Sequence, residues 1–239
     1  MNKGFSIVIP VFNESNSIIN LLDEIKSNLK EEKIMYEVIV VDDHSNDNSV
    51  SKINEYIIKY IVSFNLKLIV NKHNVGQSFS IREGIKSAIY DIIVTIDGDG
   101  QNNPRDIMKL INFYNSDKQI TLVGGLRKKR KDNFLKIMSS KIANYIRKNI
   151  LDDDCIDTGC SLKVFDKNIF LNFPYFSGLH RFLPALFKGY GHKTKFIEVD
   201  HRRRLESLSK YGTIDRLFRG IRDIFIVKKI IRKYNNKIY

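Results

Sequence analysis

"YDIIVTIDGDGQNNP", residues 90–104, carries an apolar run that stops at two aspartates two positions apart. Glycines, amides and a proline then crowd the next few residues. Ile92, Ile93, Val94 and Ile96 make a short, β-branched run without a polar face, as expected of a strand buried on both sides of a parallel sheet. Pro104 suits the first turn of a helix, so "DIMKLINFY" reads as a helix entered from a polar strand end. The same order recurs towards the N-terminus. "FSIVIPVF" reads as a buried strand, then a helix capped by Ser15 with Ile18, Leu22, Ile25 and Leu29 on one stripe. "YEVIVVDD" is the second strand, and Asp47 or Asn48 opens the helix "VSKINEYIIKYI". "LKLIVNK" is the third, followed after Gly76 by the helical "SIREGIKSAI". "ITLVGGLR" reads as a fifth strand. Strands alternating with helices through short loops predict an α/β fold built on a mostly parallel, doubly wound sheet with helices on both faces.

Beyond residue 127 the pattern changes. "RKKRKDN" reads as a mobile basic loop, followed by a helix ("FLKIMSSKIANYIRKN"), a short strand ("SLKVF"), an apolar helix at "HRFLPALF" and a strand at "KTKFIEVDH". From Thr213 a C-terminal amphipathic helix is expected, with Ile214, Leu217, Phe218, Ile221 and Phe225 on one face and Arg216, Arg219 and Arg222 on the other. After Phe225 that pattern degrades, because Lys228 and Arg232 fall on the apolar side. These patterns divide the chain into a domain over 1–212 and a basic helical segment over 213–239.

The chain has 239 residues, 43% hydrophobic and 28% charged, which fits one well-packed domain and excludes wholesale disorder. Its formal charge of +13 suggests an anionic partner: nucleic acid, a phosphorylated ligand or an anionic membrane surface. Cys155 and Cys160 lack a second pair to complete a zinc site, and the N-terminus lacks a signal-peptide layout, so a reducing, cytosolic setting is expected. No run approaches the ~20 apolar residues that cross a bilayer.

Ligands of open α/β sheets bind beyond the carboxyl ends of the strands. Here those ends carry Asn13 and Glu14, Asp42 and Asp43, Asn71 and Asn74, and Asp97 and Asp99. If the strands are neighbours, these groups converge, and carboxylates sharing a crevice repel unless a cation sits among them. Asp97 and Asp99 can point the same way from a strand end; their hard oxygens suit Mg²⁺ or Mn²⁺, and Gln101 can add a carbonyl oxygen. A calcium-loop reading of "DGDGQN" fails, since its sixth position is Asn102 and its twelfth Met108.

"SIVIPVFNE", "VIVVDDHS", "NVGQSFSIREGI", "IDGDGQNNP", "GGLR", "DTGCSLKVF" and "HRRRLESLSKYG" occur in one order, and together they resemble family 2 glycosyltransferases of the GT-A (Rossmann-like) fold. The last three resemble the branch typified by dolichyl-phosphate mannose synthase and bacterial polyprenyl-phosphate relatives. The resemblance covers residues 5–212. It implies inverting transfer of a mannose- or glucose-type hexose from a GDP- or UDP-sugar to a polyprenyl phosphate. It places Pro10, Asn13, Glu14, Gly76 and one or both of Asp42 and Asp43 at the donor, with Asp97, Asp99 and Gln101 on the metal. Arg127 falls on a phosphate contact, Arg204, Ser209 and Lys210 near donor and acceptor phosphates, and His180 and Arg181 beside the acceptor. Asp157 matches the position of a base or acceptor-orienting group. His44 stands where the family usually has glycine, and Ser207 replaces the glycine of R-x-x-G-x-S-K.

The chemistry is consistent with that implication. Charge that builds on a departing diphosphate is stabilised by a divalent cation and by Arg and Lys donors, and an acceptor phosphate is already ionised near neutral pH. The helix from Thr213 is a candidate for peripheral contact with the cytoplasmic face of a membrane. The alternatives are a family 2 transferase acting on a glycan or soluble hydroxyl, with Asp157 as a true base, and a basic nucleic-acid-binding protein. The second is disfavoured by strand-end carboxylates that would repel phosphates.

Overall fold

The computed structural model describes residues 4–127, 147, 149–202 and 213–238, with side chains of the last segment from 220 to 236. The expected helix over 134–149 falls largely outside these residues, as do the basic run after Arg127 and the whole of Arg204–Lys210.

The strands are β1 (Gly4–Val11), β2 (Met35–Asp42), β3 (Leu66–Val70), β4 (Ile92–Thr95), β5 (Ile120–Arg127), β6 (Lys163–Asp166) and β7 (Lys193–Val199). They form one sheet in the order β3-β2-β1-β4-β6-β5-β7. β1 pairs in parallel with β2 and β4, and β2 with β3. β6 enters between β4 and β5 antiparallel to both, and β7 runs parallel to β5. The fifth strand therefore does not adjoin the fourth, as simple βα alternation would place it.

Alternation along the strands sends side chains to opposite faces. Ile7, Ile9 and Val11 of β1, with Val38 and Val40 of β2, face α1 (Ile18–Leu29), α2 (Ser49–Tyr60) and α4 (Asp106–Ser116). Val8, Ile39, Val41 and Ile93 face α3 (Gln77–Ser87), α5 (Lys167–Leu171), α6 (Leu183–Gly189) and α7 (Thr213–Ile238). α1 buries Ile18, Leu21, Leu22, Ile25 and Leu29, each worth about 2 kcal/mol by area transfer. Ser15 does not cap this helix. Ser17 occupies the cap position, and its hydroxyl donates to the Gly98 carbonyl of the loop after β4. At α2, Asp47 rather than Asn48 receives the Ser49 N–H, at 2.9 Å.

The C-terminal helix departs from the expected phase. Its inward stripe is Asp223, Ile224 and Val227, continued by Ile231 against Gly189 and by Tyr234, whose ring stacks on Tyr190 with centroids 3.7 Å apart. Phe225 is 58% exposed. The stripe is offset because Asp223 is buried as the partner of Arg181, at 2.7 Å, which hydrophobicity alone does not anticipate. Once that offset is taken, the helix continues through Ile238 without Lys228 or Arg232 entering the core.

Candidate active site

β1, β2, β3 and β4 are consecutive neighbours, so their carboxyl ends meet. The result is a cleft of about 410 Å³ lined by Pro10, Phe12, Glu14, Asp43, Gln77, Asp97 and Asp99. The strand-end carboxylates divide the work. Asp42 is fully buried, and its two oxygens accept from the Ser45 hydroxyl (2.5 Å) and backbone N–H (2.8 Å). It builds the turn after β2 and does not line the cleft. Ser45 Oγ in turn accepts the Asn13 N–H, while the Asn13 carboxamide oxygen accepts from Asn46 N–H at 2.9 Å. Both Asn13 (φ 55°) and His44 (φ 63°) take left-handed backbone here, a conformation that explains a glycine preference at position 44.

Asp43 faces the cleft and organises the β3–α3 loop. It accepts from Asn71 Nδ2 (3.0 Å) and from the backbone N–H groups of Val75 (2.9 Å) and Gly76 (2.8 Å). Gly76 thus meets the cleft through Asp43 and is not itself a lining residue.

Asp97 accepts from Gln77 Nε2 at 2.7 Å, and its backbone N–H donates to Ser161 Oγ at 3.1 Å. Burial pushes its carboxyl up to about 6, helped by the neighbouring Asp99 and Glu14 charges and opposed by Ser161 and Lys163. Asp99 Oδ1 accepts the Gln101 N–H at 3.1 Å. Among the described residues no three His, Cys, Asp or Glu side chains are grouped to cage a metal on their own. Two carboxylates whose mutual charge raises the pKa of one, at an open cleft, do fit a hard divalent cation that completes its shell from water and phosphate oxygens. The Gln101 amide is turned elsewhere, with Nε2 3.4 Å from the Arg202 carbonyl.

The glycines of this loop answer to the backbone more than to a ligand. A Cβ at Gly98 would lie 2.9 Å from Val11 Cγ2 and 3.2 Å from the Pro10 carbonyl, so close approach to β1 requires glycine there. Gly100 adopts φ 71°, which favours glycine for conformational reasons. The loop is fastened from several sides. Ser17 Oγ donates to the Gly98 carbonyl at 2.9 Å, and Asn102 Nδ2 donates to Ser161 Oγ at 3.3 Å.

Arg127 and Asp157, read separately in the sequence, form one unit. Arg127 Nε and Nη2 donate to the two Asp157 oxygens at 2.7 and 2.6 Å, a bidentate and largely buried pair. A Cβ at Gly159 would lie 2.6 Å from Arg127 Nη2, so the guanidinium packs directly on that backbone. His180 and Arg181 lie in a 3₁₀ turn (Leu179–Arg181) ahead of α6 and do not open the helix itself. His180 Nδ1 sits 2.6 Å from Ser78 Oγ, and burial beside Arg181 and Lys163 pushes its pKa down to about 3, so the ring is neutral. Arg204, Ser209 and Lys210, with Ser207, lie outside the described residues.

Sequence reasoning missed Gln77, Ser17, Ser161 and Lys163. Gln77 sits inside "NVGQSFSIREGI", but nothing in that motif says that it reaches Asp97. Ser161 and Lys163 become neighbours of the aspartates because β6 inserts beside β4, a pairing without a local signal.

A family model described as glycosyl transferase family 2 matches residues 6–173. The chain is 33% identical over 230 residues to dodecaprenyl-phosphate galacturonate synthase of Rhizobium johnstonii, covering 95% of this chain and 67% of that protein. It is 30% identical over 213 residues to undecaprenyl-phosphate 4-deoxy-4-formamido-L-arabinose transferase of Pectobacterium atrosepticum, covering 88% and 63%. The chain thus spans about two thirds of the length of these curated relatives. Among solved structures, glucosyl-3-phosphoglycerate synthase from Mycobacterium tuberculosis with Mn²⁺, UDP and glucosyl-3-phosphoglycerate aligns at TM-score 0.66 and 17% identity, over 94% of this chain and 78% of that one. The same enzyme with phosphoglyceric acid aligns at 0.68 and 16%, over 95% and 79%. At that identity the likeness concerns the fold, a GT-A-like one with a mostly parallel sheet. With the family model spanning the strand ends and the carboxylate loop, the chain belongs to glycosyl transferase family 2.

Proposed function

We propose that this protein transfers a sugar, with inversion, from a nucleotide diphosphate donor to a polyprenyl phosphate, using Mg²⁺ or Mn²⁺. The convergence of Glu14, Asp43, Asp97 and Asp99 on one cleft carries the donor half of this reading. The lipid acceptor is supported by the relatives whose names specify dodecaprenyl or undecaprenyl phosphate. The sugars in those names are galacturonate and 4-deoxy-4-formamido-L-arabinose, so they lend no support to the mannose- or glucose-type hexose expected from sequence. UDP, named with the mycobacterial structures, is the first nucleotide to test.

In this reading Glu14 and Asp43 hold the nucleoside, and Asp97 and Asp99 hold the cation. When bound, that cation supplies charge stabilisation to the departing diphosphate. Arg127 presents its guanidinium to phosphate oxygens, and Asp157 orients it. The acceptor phosphate is ionised already, so Asp157 need not remove a proton. The resemblance assigns further phosphate contacts to Arg204, Ser209 and Lys210, which lie outside the described residues.

No helix among the described residues is long and apolar enough to cross a membrane. Membrane contact falls to the outer stripe of α7, where the exposed Arg222, Phe225, Lys229, Arg232 and Lys233 occupy an arc of about 100°. In this reading that stripe meets the cytoplasmic face. Phe225→Glu with Lys229→Glu leaves the packed face intact and is expected to abolish sedimentation with anionic liposomes; unchanged sedimentation refutes the contact.

The enzymatic reading is tested by a thermal-shift panel of nucleotide diphosphates with and without Mn²⁺, followed by labelled-sugar partitioning. Label entering the organic phase with lipid phosphate is the expected result. Transfer to a soluble hydroxyl acceptor in its place would refute the lipid assignment.

A further inference from the structure

Beside the donor cleft lies a second, smaller chamber of about 140 Å³, which shares Gln77 and Asp97 with the cleft. Its deep wall is Lys163. On β6 this residue pairs directly with Thr95 of β4. Residues opposite one another share a face of the sheet, and Asp97, two positions past Thr95, returns to that face. The lysine is 4% exposed, and its Nζ donates to the Cys160 carbonyl. That is its one hydrogen-bond acceptor among the described residues, although an ammonium has three donors.

The remaining described walls offer it one counter-charge, Asp97, and accept no second hydrogen bond from it. His180 is neutral, and Arg181 adds a second positive charge. Arg181 Nη2 is held by Asp223 at 2.7 Å, but its Nε is buried without a hydrogen-bond partner. Among the described residues Asp97 is the chamber's one carboxylate, and it stands at the junction with the cleft, where Gln77 donates to it. Thr158 and Ser161 supply hydroxyls. A buried ammonium with unspent donors is costly unless an acceptor of opposite charge arrives.

We propose that this chamber is an oxyanion subsite charged by Lys163, taking one small anionic group of a reactant held in the adjoining cleft. The proposal rests on the transferase reading, which brings two such groups to this place: a carboxylate on the transferred sugar, or the phosphate of the acceptor. Lys163 is then a specificity-determining residue, and not a mere prop for the Cys160 carbonyl.

The test compares wild type with Lys163→Gln, which keeps a donor for that carbonyl but loses the charge, and with Lys163→Arg, which restores the charge. Binding of UDP with Mn²⁺, UDP-glucuronate, UDP-glucose and inorganic phosphate is measured for each, together with KM for undecaprenyl phosphate. Loss of a charged hydrogen bond predicts weakening by at least about tenfold for the anionic group concerned, largely rescued by Arg, with UDP–Mn²⁺ binding unchanged. Loss confined to UDP-glucuronate, relative to UDP-glucose, identifies the sugar carboxylate. Loss confined to inorganic phosphate and to the lipid-phosphate KM identifies the acceptor phosphate. All probes within twofold of wild type overturns the subsite. Should wild type fail to bind any nucleotide with Mn²⁺, the transferase reading falls by itself, and phosphate protection of wild type against Lys163→Arg and Lys163→Gln still judges the chamber.

Discussion

Replacing Asp97 by Asn should stabilise the metal-free protein while destroying its response to metal. The Asp97 carboxyl is raised from 3.8 to about 6, chiefly by burial and then by Asp99. That difference corresponds to about 3 kcal/mol of ionisation penalty in the folded state. The sign follows from linkage: a carboxyl whose folded pKa lies above its unfolded value favours folding at pH below the unfolded pKa, and loses that contribution as pH rises through about 6. At pH 7.5 the wild type carries the whole penalty. The Asp97→Asn variant carries none, and its amide oxygen can still accept from Gln77 Nε2. Because the neutral hydrogen bond is weaker and the Asp99 charge remains, the expected gain is about 1–3 kcal/mol. Urea unfolding in EDTA at pH 7.5 reads it directly, and at pH 4.5 the advantage should shrink to about a third. Adding Mn²⁺ at pH 7.5 should raise the wild-type midpoint and leave the variant where it was. A variant no more stable than wild type at pH 7.5, or an advantage independent of pH, would refute the electrostatic account of this loop.

Asp99→Asn should lower transfer by about 100-fold or more while the circular dichroism spectrum persists; near-normal turnover would remove Asp99 from the metal. His44→Gly relieves a left-handed non-glycine residue and should add up to about 1 kcal/mol by urea unfolding. Arg147 and Asp153 are 4% and 2% exposed and pair at 3.1 Å. Arg147→Met alone should therefore cost about 3–5 kcal/mol, with most of it recovered in the Arg147→Met, Asp153→Leu double variant.

What the sequence made legible follows from burial on both faces of the sheet. The runs that became β1, β2 and β4 have no polar side, so neither their state nor their adjacency to helices was ambiguous, and their polar ends had to fall together. The placement of β6 was a different matter. Four residues, "KVFD", carry no mark of direction, and their slot between β4 and β5 is set by the whole sheet. Ser161, Lys163 and the Arg127–Asp157 pair were hidden with it. The helix from Thr213 was recognisable by period but misphased, since a buried aspartate with a cationic partner counts as solvent-facing in any pattern of hydrophobicity. On residue type alone Gly98 could serve a ligand or the sheet; in the structure it makes room for β1. The distinction rests on a distance of 2.9 Å that no residue type encodes.

The fastening of the Asp97–Asn102 loop has an evolutionary consequence. It hangs on side chains from α1 (Ser17), α3 (Gln77) and the segment leading into β6 (Ser161), each belonging to the framework of the domain. Substitutions at Lys163 or Arg181 in the neighbouring chamber, or along the outer stripe of α7, leave those attachments untouched. Under the proposed function, a lineage can therefore exchange one sugar or one lipid for another in small steps while the loop that carries Asp97 and Asp99 stays in place.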